Sequence, residues 1–451
     1  MQFLFTKTPL LFLVQNLWRD EAFSYLLAKK GIIEIMSLTV QDFSPPLYYI
    51  LLHYWMKIFG TSEIALRSLS IIFYWATIYI AFLFLTNIFK LTTKKSLIFL
   101  VLFIINPVLV YYAFEVRMYT MFSFLATYSF YEYYKLCKTS NKSKRQNVFF
   151  YLIPTILGLY THYFMIFVVA SQFLFFLIRK KLKLESKNTK KLLMNFLIIG
   201  LSFLPWVIFV LFQRKLFNES FWIEKESLKS ILSFFAALYS GYGKEFITKE
   251  IFTIISFSIF VLFVIIFGII NIQSSKKDQK DIFLYLVIWS LLIPISVILI
   301  SFIKPIFLTR YLIFSTVGFI LLLILLFENI KSYKLLYIVL IICLFLNTFR
   351  FQQLQIKNRK KTNINKTIKD IRLMAGKNDV IYVKNYLDFH KVQYYFDENR
   401  VFIYGKSYEE IPNYIGKALI SKTKIAKTIP IYPKKAFILN HNNSFEIATR
   451  Y

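Results

Sequence analysis

Acidic residues, cysteine and histidine are scarce in this chain. Its 451 residues include 24 Asp and Glu against 55 Lys and Arg, with only 2 Cys and 4 His. Cys137 sits beside a basic stretch and Cys343 within an apolar run, which argues against a disulfide between them. The Cys and His spacing matches no metal-binding pattern, and the first apolar stretch lacks the small-residue cleavage site of a signal peptide. The sequence therefore predicts neither a Cys/His metal site nor a cleavable leader.

Apolar and aromatic residues are abundant, at 57% and 20% of the chain. Apolar runs of roughly 15 to 22 residues recur, long enough to cross about 30 Å of hydrocarbon as helices. This pattern predicts an α-helical polytopic membrane protein with about eleven transmembrane helices. We expect these spans at residues 3–17, 64–85, 96–113, 119–134, 147–158, 163–178, 192–212, 251–272, 282–302, 312–327 and 335–349. The first is short and carries Lys7, so it is either a marginal span or the remnant of a longer one.

The net charge of +31 would suggest nucleic acid in a soluble protein. Here the basic residues crowd into the connections after the even-numbered spans, where topology and anionic lipid headgroups explain them. We therefore expect the lipid bilayer and not nucleic acid as a partner, with those connections cytoplasmic in a multi-pass plasma membrane protein. The residues concerned are Lys90, Lys94, Lys95, Lys135, Lys138, Lys142, Lys144, Arg145, Arg179, Lys180, Lys181, Lys183, Lys190, Lys191, Lys276, Lys277 and Lys280. The opposite face then carries residues 20–63, 115–117, 160–162, 214–250 and 305–311.

The pattern changes near residue 350, which predicts a membrane domain at 1–350 and a second domain at 351–451. Short apolar runs at 380–383, 401–404 and 436–439 alternate with helix-compatible stretches at 387–396 and 408–420. This alternation predicts a small α/β domain on the non-cytoplasmic side. Its many lysines would suit an anionic polymer and acceptor choice, although solvated lysines on any small domain look the same.

The first outward segment carries the most informative polar residues. Asp20 and Glu21 follow the first span directly, and Asp42 precedes a Pro-Pro turn and Tyr49. Paired carboxylates at a membrane surface are costly unless they have partners or a function. One of them could take a proton from an acceptor hydroxyl. Alternatively, Asp20 and Glu21 simply mark the water boundary.

Three further clusters fall on the same predicted face. Arg117 could grip a phosphate through two parallel hydrogen bonds, or could pair with Glu115 at the interface. His162 is either a structural histidine or a functional group near the outer face. Arg310, followed by Tyr311, could be a second cation for a lipid phosphate or an interfacial snorkelling residue.

The order of these motifs resembles a known family. An acidic pair is followed by D-F-S-P-P-L-Y-Y, G-T-S-E-I-A-L-R, Y-Y-A-F-E-V-R-M-Y and Y-T-H-Y-F, and later by R-Y-L. The chain resembles the GT-C glycosyltransferases, specifically the bacterial and archaeal branch of the dolichyl-phosphate-mannose–protein mannosyltransferase family. The resemblance covers residues 18–178 and reappears near 310. One departure is Arg19, which stands where relatives more often have a neutral or aromatic residue.

This resemblance implies an inverting hexosyltransferase that takes a sugar such as mannose from a polyprenyl-phosphate donor at the outer membrane face. The acceptor could be a lipid, a polysaccharide or a protein. Asp20 matches the family's catalytic acidic residue, so its carboxylate would act as the general base. Glu21 would help to position the acceptor. Some relatives are linked to a divalent cation, which nothing in this sequence demands. The residues implied in substrate binding are Asp42, Tyr49, Arg67, Glu115, Arg117, Tyr119, His162, Arg310 and Tyr311.

Two other functions fit a chain of this composition. One is a non-catalytic flippase or transporter of lipid-linked sugars, although transporters tend to show symmetric halves or helices broken near the midplane. Polar residues clustered at one face favour an interfacial enzyme instead. The other is an inactive scaffold whose C-terminal domain binds wall polymer. Removing the charge of Asp20 would separate the enzyme from both.

Overall fold

The computed structural model describes residues 3–42, 44–138, 144–182, 189–213, 223, 225–272 and 277–451. The chain divides into two compact units. The first, called unit 1, comprises Met1–Leu69, Glu115–Arg117 and Arg359–Tyr451, and the second, unit 2, comprises Ser70–Phe114 and Met118–Asn358. Phe43, Lys142, Lys183, Lys276 and most of 214–224 belong to the sequence predictions but lie outside the described residues.

Long apolar helices dominate the chain, which confirms a polytopic membrane architecture. Among the described residues, six helices are long and apolar enough to cross a membrane. They are Glu63–Ile88, Lys190–Gln213, Ile251–Ile272, Lys277–Ser301, Thr309–Ile330 and Lys334–Asn358. They correspond to six of the predicted spans, while the predicted count of eleven is not confirmed.

The third predicted span is a bent pair of helices, Thr93–Ile104 and Pro107–Ala113, which meet at 65°. The bend has a local cause in Asn106. Its side-chain oxygen accepts hydrogen bonds from the backbone amides of Val108 and Leu109, both at 3.1 Å. An Asn cap followed by Pro at the first helical position starts a new helix. Counted as one span, the pair would make seven.

The first predicted span is wrong as a continuous helix. Two short helices, Leu4–Lys7 and Leu11–Val14, stand in its place. Pro9 lies between them, and proline supplies no amide to an α-helix. The fourth, fifth and sixth predicted spans are also helices, but they are shorter or less apolar than the six helices above. The fourth span is rich in tyrosine. They are Tyr119–Lys138, Lys144–Leu159 and Met165–Lys181.

The remaining helices are mostly short. In the first 60 residues they are Arg19–Ala28, Ile32–Gln41 and Leu47–Phe59. Later ones are Leu228–Leu232, Phe234–Ser240, Ile364–Met374 and Phe389–Tyr395. Single 3₁₀ turns lie at Lys244–Phe246, Thr309–Leu312, Tyr386–Asp388, Glu398–Arg400, Asn413–Ile415, Lys417–Leu419 and Lys422–Lys424.

A five-stranded sheet forms the centre of the C-terminal segment. Its strands are β1 (Val380–Val383), β2 (Val401–Tyr404), β3 (Ile425–Ala426), β4 (Ala436–Leu439) and β5 (Phe445–Ala448). The order is β3-β2-β1-β4-β5, parallel except for the antiparallel pair β4-β5. The three predicted strands and the small α/β architecture are thus confirmed.

One helix prediction in this segment is wrong. Residues 408–420 hold only two 3₁₀ turns, Asn413–Ile415 and Lys417–Leu419, instead of an α-helix. Pro412 precedes the first turn, and Gly416 separates the two with φ of +84°, a left-handed conformation that ends a helix. A Cβ at Gly416 would also come within 2.3 Å of the Phe23 ring, so the glycine permits close packing.

Candidate active site

Glu21 is the centre of a buried charge cluster in unit 1. It lies in the first turn of the helix Arg19–Ala28, called the Asp20 helix here, and is fully buried. Arg67 donates to both of its carboxylate oxygens in a two-pronged pair, Nε to Oε1 and Nη2 to Oε2, each at 2.9 Å. Lys361 adds a third charged donor, with Nζ at 2.7 Å from Oε2. The sequence predictions placed Glu21 and Arg67 in the site but did not include Lys361.

Backbone amides complete the coordination of the Glu21 carboxylate. The amide of Trp18 donates to Oε2 at 3.1 Å, and that of Val116 donates to Oε1 at 3.2 Å. An ionised carboxylate has about four lone-pair sites, and five donors reach this one. Protein donors therefore occupy the hydrogen-bonding capacity of Glu21.

Arg67 ties this cluster to the chain before the Asp20 helix. Its Nη1 donates to the carbonyls of Leu13 and Gln15 at 2.7 and 2.6 Å, and its Nη2 reaches the Asn16 carbonyl at 3.3 Å. Guanidinium has five donors in a rigid fork, and those of Arg67 are directed at Glu21 and these carbonyls. The geometry makes Arg67 a fixed element of the protein interior.

The cluster keeps Glu21 ionised. Burial by itself raises the pKa of Glu21, but Arg67 and Lys361 outweigh it and hold that pKa at about 2. Burial lowers the pKa of Lys361; nearby Arg67 acts in the same direction, and Glu21 and Glu115 oppose it. Glu115, which is itself buried, is thus the second acid of the group. Arg67 and Lys361 thus compensate the buried charge of Glu21, as buried charges require.

Asp20 faces a different environment from its neighbour. Its Oδ1 accepts a hydrogen bond from Arg19 Nε at 2.9 Å, and its side chain is 12% exposed. Ser24, one helical turn later, donates to the Asp20 carbonyl at 2.9 Å. Arg117 Nη1 lies 3.5 Å from Ser24 Oγ and donates to Tyr49 Oη at 3.1 Å. Ser24 thus lies between Asp20 and Arg117 along this face of the helix.

Tyr49 connects the predicted carboxylates on this face. Burial raises the pKa of the Tyr49 phenol; Arg117 opposes that rise, while Asp42 and then Asp20 add to it. The phenol therefore stays neutral near neutral pH and can donate or accept a hydrogen bond. Asp20, Asp42 and Arg117 all act on the same hydroxyl, so the structure brings these four predicted residues together. We call them the Asp20 cluster.

The other predicted residues form an aromatic cluster in unit 2. The ring of His162 stacks on Phe122 at 4.8 Å and lies 4.9 Å from the Tyr311 ring. Arg310 lies over the rings of Tyr119 and Tyr311, at 5.8 and 5.7 Å. Cation–π geometry of this kind holds a guanidinium without neutralising its charge. His162, Tyr119, Arg310 and Tyr311 are thus neighbours although they are far apart in sequence.

Metal ligation has little support in the described part of the chain. No group of three or more His, Cys, Asp or Glu side chains there is placed to hold a metal ion. A divalent cation therefore remains only what the family resemblance allows.

The fold of this chain is similar to that of solved structures. No family model matches it, and no curated protein is similar in sequence. Two crystal structures of ArnT from Cupriavidus metallidurans are similar in fold. The apo state gives a TM-score of 0.61 at 9% identity, covering 95% of this chain and 90% of ArnT. The state bound to undecaprenyl phosphate gives 0.57 at 10% identity, covering 95% and 91%. At 9% and 10% identity the likeness shows the fold alone, and the mannosyltransferase family is not confirmed.

Proposed function

We propose that this protein is a membrane glycosyltransferase that moves a sugar from a polyprenyl-phosphate donor to an acceptor at the outer membrane face. The observation that carries the proposal is the Asp20 cluster, in which the buried Arg117 guanidinium contacts Tyr49 and also Ser24, one helical turn after Asp20. The fold similarity to a protein crystallised with undecaprenyl phosphate agrees with a lipid-phosphate donor.

The reaction balances with the groups of this cluster. The acceptor hydroxyl attacks the anomeric carbon while Asp20 takes its proton, and the bond from that carbon to the phosphate oxygen breaks. Polyprenyl phosphate leaves with the bonding electrons, and the configuration inverts. Arg117 is placed to neutralise the leaving phosphate, since a preorganised cation stabilises charge that develops in the transition state.

The remaining residues have supporting roles in this proposal. Tyr49 orients Arg117 through its hydroxyl, and Asp42 contributes a second negative charge beside that hydroxyl. Glu21 acts on the acceptor indirectly, by fixing the first turn of the Asp20 helix through Arg67 and Lys361. Arg310 lies over the Tyr119 ring within unit 2, and its proposed role is to bind a lipid phosphate there.

The transferred sugar in this proposal is a hexose, with mannose as the first choice because of the motif resemblance. Purified protein in lipid would be supplied with radiolabelled polyprenyl-phosphate mannose and a crude envelope extract. Asp20→Asn should abolish transfer, since an amide cannot accept the proton. The matched control is Asp370→Asn, which makes the same change at an exposed position of the C-terminal segment.

Label transferred by the wild type and by Asp370→Asn, but not by Asp20→Asn, would support the proposal and identify the acceptor class. Equal transfer by Asp20→Asn would refute the role of Asp20. If the wild type transfers no label from polyprenyl-phosphate mannose or from other polyprenyl-phosphate sugars, the proposed activity is refuted.

A further inference from the structure

A basic cavity lies in the C-terminal segment beside strands β2 and β3. Its volume is about 600 Å³, and its lining includes Lys406, Lys422, Lys427, Tyr404 and Tyr408. The two strands are parallel neighbours, with Tyr404 paired to Ala426, so the residues that follow them emerge at one edge of the sheet. Ligands of open parallel sheets bind beyond the carboxyl ends of the strands. The cavity thus occupies a position that this kind of sheet makes available.

The lining carries an excess of positive charge. Lys406 is paired with Glu410 at 3.3 Å. Among the described residues, Lys422 and Lys427 have no carboxylate within ion-pair distance, and Glu409 is the one acid in the lining. Both lysines are exposed, so an incoming ligand can reach their ammonium groups. Such a lining attracts anions.

Tyrosine gives the cavity a second property. The Tyr408 ring lies beneath the ammonium groups of Lys417 and Lys422, at 4.6 and 5.7 Å, and Tyr404 adds another ring. Specific small-ligand pockets of this volume combine aromatic walls with a few charged groups. Aromatic faces suit the apolar faces of sugar rings, and the lysines suit carboxylate or phosphate. The combined chemistry is that of an anionic glycan.

The wall of this cavity continues to the Asp20 helix within unit 1. Lys417 contacts the cavity residue Tyr408, and the adjacent Gly416 packs against Phe23 of that helix. Two residues earlier, the Tyr414 ring lies 5.6 Å from the Arg19 guanidinium, and Arg19 pairs with Asp20. A basic and aromatic segment therefore joins the cavity to the neighbour of the proposed base.

We infer that this cavity binds an anionic part of a glycan acceptor, a role that rests on the proposed transferase function. The charge of the ligand is carried by carboxylate or phosphate groups on the sugars. The cavity holds part of the acceptor chain outside the reacting centre and raises its local concentration at Asp20. It thereby selects acidic glycans over neutral ones.

Binding to the full chain in phosphatidylcholine nanodiscs tests this inference by calorimetry, without any donor. The probes are trigalacturonate for carboxylate and mannose 6-phosphate for phosphate, with maltotriose as the neutral comparator. We expect binding of one or both acidic probes, weakened about tenfold or more in Lys422→Gln/Lys427→Gln, since each lysine provides a charge-assisted contact. The control pair Lys377→Gln/Lys434→Gln removes the same charge from exposed lysines elsewhere in the segment and should bind like the wild type.

The two acidic probes distinguish the sources of charge, and preference for either one supports the site. The inference is overturned if neither probe binds, if maltotriose binds as tightly, or if both double variants lose affinity equally. Asp20→Asn provides the separation from the proposed function, because it should stop transfer and leave probe binding unchanged. Probe binding without any transfer activity would support the cavity as a glycan site and count against its role in acceptor selection.

Discussion

Replacement of Lys361 by methionine removes one charge from the buried cluster while retaining much of the side-chain volume. In the wild type, Arg67 and Lys361 both pair with the Glu21 carboxylate, and Glu115 also acts on the charge of Lys361. The ammonium lies 2.7 Å from Glu21 Oε2, and the Lys361 side chain is 11% exposed. Lys361→Met would remove one of the two cations that pair with the buried Glu21 carboxylate.

The expected cost follows from that imbalance. Breaking a buried ion pair by removing one partner typically costs about 3–5 kcal/mol, because the other charge stays buried. Arg67 still pairs with Glu21, which places Lys361→Met near the lower end, at about 3 kcal/mol. For a folding unit of roughly 150–250 residues, each kcal/mol lowers Tm by about 2–4 °C. We therefore expect Tm to fall by about 6–12 °C.

Thermal unfolding in detergent, followed by tryptophan fluorescence, provides the measurement. Lys360→Met is the matched control, since Lys360 is the adjacent lysine and is exposed; its Tm should stay close to that of the wild type. The double variant Lys361→Met/Glu21→Gln removes the carboxylate charge together with the cation that pairs with it, so it should be more stable than the sum of the two single losses predicts. Equal Tm values for Lys361→Met and Lys360→Met, or strict additivity in the double variant, would refute the electrostatic account.

Three further changes test separate parts of the structure. Arg117→Gln keeps a hydrogen-bond donor for Tyr49 but loses the charge, so transfer should fall about 100-fold or more, and unchanged kcat/KM would count against its role. The pKa of Glu21 is depressed from 4.5 to about 2, a difference of about 3 kcal/mol. That stability is present above pH 4.5 and is lost as pH falls towards 2. Over this pH range, Tm should therefore fall less in Glu21→Gln than in the wild type. Asn106→Ala removes a helix cap worth about 1 kcal/mol, and amide exchange at Val108 and Leu109 should become faster.

Several elements of the fold could be predicted because their signals are local. A run of apolar residues predicts a spanning helix, and the helix Ile251–Ile272 has the predicted bounds. Strands β1, β2 and β4 are likewise short apolar runs bounded by polar residues. Predictions were wrong where one residue interrupts a pattern, as Pro9 does in the first apolar stretch and Gly416 does between residues 408 and 420.

The candidate site was only partly predictable, because much of it depends on contacts between distant residues. Lys361 stands in a basic run after the last long helix, where it resembles any other lysine of a loop. Lys361 contacts Glu21, from which it is separated by 340 positions in the sequence. Tyr395 likewise donates a hydrogen bond to Glu63, at a separation of 332 positions. Periodicity within a window of residues carries no information on such pairs. The basic residues around Lys361 have no Asp or Glu close to them in sequence, which is a local hint that its carboxylate partner lies in a distant part of the chain.

Side chains of adjacent helical residues point about 100° apart. Asp20 and Glu21 therefore project into different surroundings and can have different roles. Glu21 points to Arg67 and Lys361, and an acceptor could bind it only by displacing donors already in place. Arg67 has likewise committed its donors to Glu21 and three carbonyls. Asp20 retains some exposure and lies on the face of Arg117. This division favours Asp20 as the proton acceptor. Because the neighbouring charge of Glu21 is compensated internally, the charges that act on Asp20 include Arg19, which pairs with it, and Arg117, which contacts Ser24 one helical turn later.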